Sequence, residues 1–521
     1  MNNSTRQQIT ALLADPEKLL EVTPYYRTIK YRNCEIAPLG KDVYSVGAKI
    51  TARLPCIRRS VVPLEKLLQE YDPWSHSVLY DENIPYLTVK NNEGGWVKIE
   101  RKVMPIPIQQ NIAKKQTLHL CNNPMSHVML NLNPTELQKT QFIKIKQIWD
   151  ERNIDGLKTE AVLTQKSQSV VGMLFYHDYN GDVKARILKY SDGYVIITHK
   201  DDNGDHIIEC VYYMQDDVEY LDCYDDTYMY RFTNSNEIIT DSTGKISSSG
   251  WIAQTPVKHG FNECPLVVKR GPVAWDSVQD LIEVYERTYN TAIVVLNRYG
   301  YGTLYIKGKF NAKAERIGGN VVLNDTSMDP NADAKMLSPT PAQNTIETLD
   351  QLEYSIQKGS GTTFILPKDI KLSGDTSGIA VQLTQELDIE TALQDVSEWQ
   401  NFANKMMRLF KEGLARELVN KGEKGFENAI TDFQQLNIRT RFVVWRPQSN
   451  EAYNQMLTTL KGAGAISVQT LVEKNTESCP DEMARIHKEA EEDMQQSLRK
   501  QEQTLQLSKK YQDNETTVVN E

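Results

Sequence analysis

Apolar positions repeat with two different periods along this chain, and the changeover divides it. Residues 165–260 read as strands. Val170 to Tyr176 is an apolar run, followed by Ala185 to Tyr190, Tyr194 to Thr198 and Ile207 to Tyr213. Asp178-Tyr179-Asn180-Gly181-Asp182 and Lys200-Asp201-Asp202-Asn203-Gly204-Asp205 separate these runs. Each Asn-Gly pair can take the positive φ of a tight hairpin. Residues 232–263 are rich in Ser, Thr, Asn and Gly and read as a surface meander, and 265–270 as a short buried strand. Nearer the start, Ile29 to Leu54 alternates weakly between Pro-containing turns, and Leu87 to Pro107 predicts a hairpin around Asn91-Asn92-Glu93-Gly94-Gly95.

Helical spacing dominates elsewhere. Residues 1–20 predict an amphipathic helix with Ile9, Leu12 and Leu13 on one face. Residues 133–152 predict another, entered through Asn133, with Leu137, Phe142, Ile145 and Ile148 on its apolar side. In 276–299, Val278, Ile282, Tyr285, Tyr289, Ala292, Leu296 and Tyr299 alternate spacings of four and three. That is a heptad seam, and the helix would be about 36 Å long. A core helix of a globular domain gives the same spacing. Gly300 and Gly302 end it, and residues 303–343 form a compact αβ insert. It opens with a strand from Thr303 to Lys307, then a basic stretch (Lys309 to Arg316) and a second strand, Asn320 to Leu323. A helix from Thr345 to Lys358 closes the bracket, with Ile346, Leu349, Leu352 and Ile356 on one side.

Ile379 to Lys421 reads as one helix, long enough that a bend or break inside it is expected. Lys405, Arg408, Lys411 and Arg416 gather in its C-terminal half, where they suit the helix dipole. A DNA-facing role is the alternative. Ile438 to Arg446 predicts a strand, Asn450 to Leu460 a helix, and Ser467 the N-cap of another. Residues 490–521 form a polar tail.

Composition narrows the class. Hydrophobic residues are 40% and charged residues 25% of the 521, as in ordinary globular proteins. No apolar run is long enough to span a membrane, and residues 1–20 do not read as a signal peptide. The 7 cysteines include no Cys-x-x-Cys pair, so neither a disulfide framework nor a zinc site is expected. Cys121 and His127 stand too isolated to suggest a metal. The formal net charge of −10 is unlike that of a protein that grips DNA, though an acidic chain can surround DNA that must slide.

Catalytic signatures are missing. There is no P-loop, no His-Glu-x-x-His, and Gly374-Asp375-Thr376-Ser377-Gly378 has its serine one place late for a nucleophile elbow. The Asn-Gly turns lack the glycine and glutamate positions of calcium loops. Asp216-Asp217 and Asp225-Asp226 read as surface charge rather than a nuclease metal site. No cofactor or metal is expected, and a structural protein is favoured over an enzyme.

One resemblance organises these segments. Leu266-Val267-Val268, Asp280 to Tyr285 with Asn290, and Leu304 to Gly308 resemble the strand–stem helix–clip passage of siphovirus-type tailed-bacteriophage portal proteins. Leu372-Ser373-Gly374-Asp375-Thr376-Ser377-Gly378-Ile379-Ala380 resembles the passage after their second stem helix. Phe442 to Arg446, Leu457 to Lys461, Ile466 to Leu471 and Asp481-Glu482 resemble their usual ending.

The resemblance implies an α+β, multi-region portal fold assembled as a dodecameric ring, with these regions: an N-terminal arm (1–20), a β-rich wing (21–270), stem helix 1 (271–302), an αβ clip (303–343), stem helix 2 (344–358), a channel loop (359–378), a long helix (379–431), a helical crown (432–490) and a polar tail (491–521). The heptad seam would pack against a neighbour's stem. Lys368, Lys371, Ser373, Asp375, Thr376 and Ser377 become channel-loop candidates, and Lys307, Lys309, Lys313 and Arg316 clip docking candidates. Implied partners are further copies of the chain, the terminase large subunit, a head-completion or adaptor protein, major capsid and scaffolding proteins, and double-stranded DNA passing without sequence preference, with no membrane. The location would be the virion vertex, after assembly in the host cytoplasm. A different phage ring protein, or a cytoplasmic α+β enzyme or nuclease, is the alternative.

Overall fold

The computed structural model describes residues 3–21, 25–30, 57–82, 84, 87–90, 96–99, 103–201, 204, 206–234, 250–299, 303–307, 313–317, 320–324, 333–337, 343–363, 385–445, 450–466, 468, 471 and most of 486–502. Within 25–61, 85–102, 295–345 and 450–454 only the backbone is considered. The chain divides into two units, Met1–Asp369 with Gln385–Trp445, and Ile370–Thr384 with Arg446–Glu521.

In the first unit the N-terminal helices are α1 (Asn3–Leu13), α2 (Pro16–Leu19) and α3 (Leu64–Tyr71). Strands β1 (Tyr25–Lys30) and β2 (Ile57–Val62) pair with each other, as do β3 (Leu87–Lys90) and β4 (Trp96–Ile99). Next come α4 (Ile108–Cys121), β5 (Ser126–Met129), α5 (Glu136–Glu151) and α6 (Ile154–Gln168). Strands β6 (Val170–His177), β7 (Val183–Leu188), β8 (Val195–Lys200), β9 (His206–Gln215), β10 (Val218–Tyr224), β11 (Tyr228–Asn234), β12 (Trp251–Ala253), β13 (Val257–Lys258) and β14 (Leu266–Arg270) follow. Helix α7 (Gln279–Tyr299) leads to β15 (Thr303–Lys307), β16 (Lys313–Ile317), β17 (Asn320–Asn324) and β18 (Asp333–Leu337). The unit ends with α8 (Gln343–Ser360), α9 (Glu386–Lys421), α10 (Ala429–Gln435) and β19 (Ile438–Arg441). In the second unit the described residues are largely helical, chiefly α11 (Asn450–Gly462).

Two antiparallel sheets form the β-rich region. One runs β12-β11-β10-β9-β8 with β13 also on β11, and the other β14-β6-β7. Leu174, Leu188, Ile196, Val211, Tyr224 and Leu266 form one shared core cluster drawn from both. Ile9 of α1 and Leu19 of α2 pack with Ile197, Cys210, Leu221 and Phe232, so the amphipathic N-terminal helix closes the larger sheet. The main core gathers around α9, whose Trp399, Phe402, Met406, Phe410 and Leu414 meet Trp149, Ile145, Val171 and Phe175. A second core joins Trp275, Val278 and Ile282 to Ile112, Leu67 and Ile356. Trp275 is fully buried, and its truncation to alanine would cost about 3–5 kcal/mol.

Several sequence expectations shift. Helix α5 is capped by Thr135, not Asn133: Thr135 and Gln138 form a reciprocal capping box, and Asn133 sits at φ 54°. The expected meander contains two edge strands, β12 and β13. The long helix runs unbroken from Glu386 to Lys421, and Gln385 before it has left helical geometry, while 379–384 of the expected helix lie outside the described residues. Leu393, expected on its apolar side, is exposed. The final strand stops at Arg441. Described residues of the insert are strand, pairing β15 with β18 and β16 with β17, and the rest of the expected αβ insert lies outside the described residues.

Candidate functional site

The two long helices that bracket the insert are antiparallel. The start of α7 lies beside the end of α8, where Ser277 Oγ donates to the Gly359 carbonyl at 2.8 Å. A Cβ on Gly359 would come within 2.6 Å of Val278 Cγ1, so glycine permits this approach. Of the heptad seam, Val278 and Ile282 are buried in their own subunit's core. Tyr285 and Tyr289 are half-buried and stack on one another at 6.3 Å. Ala292 is half-buried, while the side chains of Leu296 and Tyr299 lie outside the described residues.

Sequence reasoning overlooked a polar strap on the same helix. Glu286 and Asn290 are 2% and 1% exposed. Asn290 clasps the backbone of Met104 through its Oδ1 and Nδ2, at 2.8 and 3.0 Å. Glu286 Oε1 accepts from Ile106 N at 2.8 Å and from His76 Nδ1 at 2.7 Å. His76 Nε2 faces the Glu70 carbonyl at 2.9 Å. Both partners of the ring only accept, so both ring nitrogens donate and the imidazole is charged. Burial alone would lower its pKa, but Glu286 and the Glu70 carbonyl reverse that and leave it raised. Only the position of Glu286 and Asn290 at helical spacing, beside the apolar seam, could have signalled this.

The end of α8 and the start of α9 are held by a second polar cluster. Gln116 Nε2 donates to the Ser360 carbonyl at 2.9 Å and to Thr362 Oγ1 at 3.1 Å. Asp388, 2% exposed, accepts from Thr363 N at 3.0 Å and lies 3.3 Å from Lys115 Nζ, which also donates to the Thr363 carbonyl. Thr391 Oγ1 donates to the Gly361 carbonyl at 3.0 Å. Gly361 has φ +64° and a Cβ there would meet Thr391 Oγ1 at 2.4 Å, so Gly359-Ser360-Gly361 is a helix terminus built for close packing. Four residues along α4, His119 links to Trp445: its Nδ1 is 3.3 Å from the Trp445 carbonyl, and Trp445 N donates to the His119 carbonyl at 2.7 Å. Its buried Nε2 has no partner and burial lowers its pKa, which together fit a neutral ring. The cluster fixes Thr363 to α9 on either side of residues 364–384.

Those residues carry Lys368, Lys371, Ser373, Asp375, Thr376 and Ser377, which lie outside the described residues, as does Lys309. Lys307 ends β15, and Lys313 and Arg316 lie on β16. The basic residues of α9 are already engaged. Lys405 Nζ donates to the Leu266 carbonyl at 3.0 Å and Lys411 Nζ to that of Leu436 at 2.7 Å. Arg408 makes a two-pronged pair with Glu263 at 2.9 Å, and Arg416 meets Glu412 at 3.2 Å. Each is paired within the chain, with Arg408 remaining half-exposed.

The acidic pairs also have structural roles. Asp216 and Asp217, at φ 52° and 60°, form the tight β9–β10 turn. Asp225 Oδ1 accepts from Thr227 N and Tyr228 N, both at 2.6 Å. Among the described residues no cluster of His, Cys, Asp or Glu could hold a metal ion, and no helix is long and apolar enough to cross a membrane. Burial pushes the Cys121 thiol up to about 12 and the His127 imidazole down to about 4, so neither is poised for neutral-pH chemistry.

Comparison with curated proteins found no match. The sequence profile of a phage protein family, described as phage portal protein, SPP1 Gp6-like, matches residues 79–496. That span takes in both sheets of the β-rich region, both bracketing helices, the insert, the clamp around Thr363 and the long helix α9. With most of its length matched, the chain belongs to the SPP1 Gp6-like phage portal protein family.

Proposed function

We propose that this protein forms a dodecameric ring at one capsid vertex of a tailed phage and serves as the conduit for DNA during packaging and ejection. The family match over the whole helix–insert–helix passage carries this reading. Residues 303–343 serve as the clip, which docks the terminase large subunit and later a head-completion or adaptor protein. Major capsid and scaffolding proteins meet the ring's outer regions, and the finished ring resides in the virion after assembly in the host cytoplasm. Residues 359–378 approach the channel, and Gln116, Lys115, Asp388 and Thr391 hold Ser360 to Thr363 beside the start of α9. The role is conduction rather than catalysis. Net charge −10 and the internal engagement of the α9 cations support a wall along which DNA slides without sticking.

Electron microscopy of the purified chain, with native mass to count subunits, tests this directly. Closed rings with an axial hole are expected. A protein that stays monomeric at every concentration, including with scaffolding protein present, would refute the ring.

A further inference from the structure

No motif marks Cys210 and Cys223 in the sequence, but the strand register sets them directly opposite each other on β9 and β10. Asp216 and Asp217, both at positive φ, form a two-residue turn closed by Gln215 opposite Val218. In a hairpin of this type the closing pair exchanges both hydrogen bonds. Bonded and non-bonded pairs then alternate along the unbroken register, which makes Cys210–Cys223 a non-bonded pair. Cα atoms of such a pair lie about 4.5 Å apart, and a disulfide spans Cα separations of about 4.4–6.8 Å. The backbone therefore already holds the two thiols within bonding range.

Both thiols are free and wholly buried. Their cover is α1 and α2, whose Ile9 and Leu19 lie in the same apolar cluster as Cys210, Leu221 and Cys223. Cys264 packs against the cluster on the opposite face of the sheet, and Cys121 lies in the main core. Burial and the adjacent Cys223 sulfur push the Cys210 thiol up. Thiolate is the reactive form, so the closed fold keeps this thiol quiet. Two short helices laid on a sheet open locally at lower free energy than the strands beneath them.

We propose that Cys210 and Cys223 form a dithiol site, which small-molecule disulfides oxidise to a cross-strand disulfide when α1 and α2 lift. One thiol loses its proton, and the thiolate attacks a sulfur of the oxidant RSSR. A protein–S–S–R bond forms, and the RS⁻ that leaves takes up the proton. The second thiol, deprotonated in turn, attacks the protein sulfur of that bond and expels the second RS⁻, which is protonated likewise. The protein gives up two electrons and the oxidant is reduced to two RSH. The new bond staples the β9–β10 hairpin inside the larger sheet, and an external thiol reverses it. The site stands on the hairpin geometry alone. Its timing rests on the reading above: reduced in the cytoplasm during assembly, open to oxidation in the released virion.

The test incubates full-length wild type with glutathione disulfide, alkylates the remaining thiols in urea, and maps peptides by mass spectrometry without reduction. A Cys210–Cys223 link is expected, lost on adding dithiothreitol and absent from Cys210→Ala. Leu19→Ala thins the cover and should speed the reaction about tenfold or more. Ile9→Ala serves if that variant misfolds. A parallel sample refolds from urea in the same oxidant, so that the thiols meet it before burial. No Cys210–Cys223 link in either sample, or links mainly to other cysteines or to glutathione, would overturn the pairing. A link formed only on refolding, or at a rate that the cover variants leave unchanged, would overturn the gating by α1 and α2. Neither result bears on the ring, which electron microscopy tests separately.

Discussion

Replacing Glu417 with glutamine should detach the β6–β7 turn from the end of α9. The Glu417 side chain is 4% exposed and accepts from Arg152 Nη2 at 2.7 Å, Lys421 Nζ at 2.9 Å and Val183 N at 3.0 Å. Burial alone would raise its pKa, but these donors pull it from 4.5 down to about 2. A gap of about two and a half units corresponds to about 3 kcal/mol. Lys421 is half-exposed, and solvent screening reduces the figure to about 2 kcal/mol. The folded pKa is depressed, so the contribution is complete above pH 4.5 and is lost as pH falls through about 2. By pH 3 more than half should be gone. The assay is the thermal midpoint of wild type and Glu417→Gln across pH 3 to 7, with hydrogen exchange at Val183 to localise the effect. The variant should melt a few degrees lower at pH 7, and the gap should narrow steadily below pH 4.5. Equal midpoints at pH 7, or a gap unchanged at pH 3, would sink the argument.

Gly361→Ala should cost about 1–3 kcal/mol, since alanine would hold a left-handed φ and press on Thr391; an unshifted thermal midpoint would count against the clamp. His76 has a raised pKa, so its stabilising pair with Glu286 is complete below about pH 6.5 and weakens as pH rises through the folded value. Protection of the Ile106 amide should therefore fall with rising pH in wild type but not in His76→Gln, and a pH-independent wild type would contradict the strap. Deleting 303–343 should leave rings that no longer dock terminase or adaptor, and intact packaging by that deletion would refute the clip assignment. Asp375→Lys should alter DNA passage more than assembly, and loss of the ring would assign Asp375 to assembly instead.

Periodicity by itself determined the elements whose burial is one-sided. The strands β6 to β9 with their Asn-Gly turns, the bracketing helices α7 and α8, and the N-terminal amphipathic helix were all legible, because one apolar face imposes a period. The family was legible as well, from the order of those elements. Strands β10 and β11 were not read, since their tyrosines and acidic residues bury only as cross-strand partners: Arg231 pairs with Asp222 and lies over Tyr220. The polar strap and the clamp were equally invisible. His76 and Glu286, or Lys115 and Asp388, are ordinary charged residues until folding brings them together from distant positions and removes water. The same holds for the α9 cations, which read as an available basic face but find carbonyls and carboxylates of their own subunit. Local sequence can state where an apolar face lies. Only the tertiary structure decides which polar groups lose their water, and burial is what gives such pairs their strength.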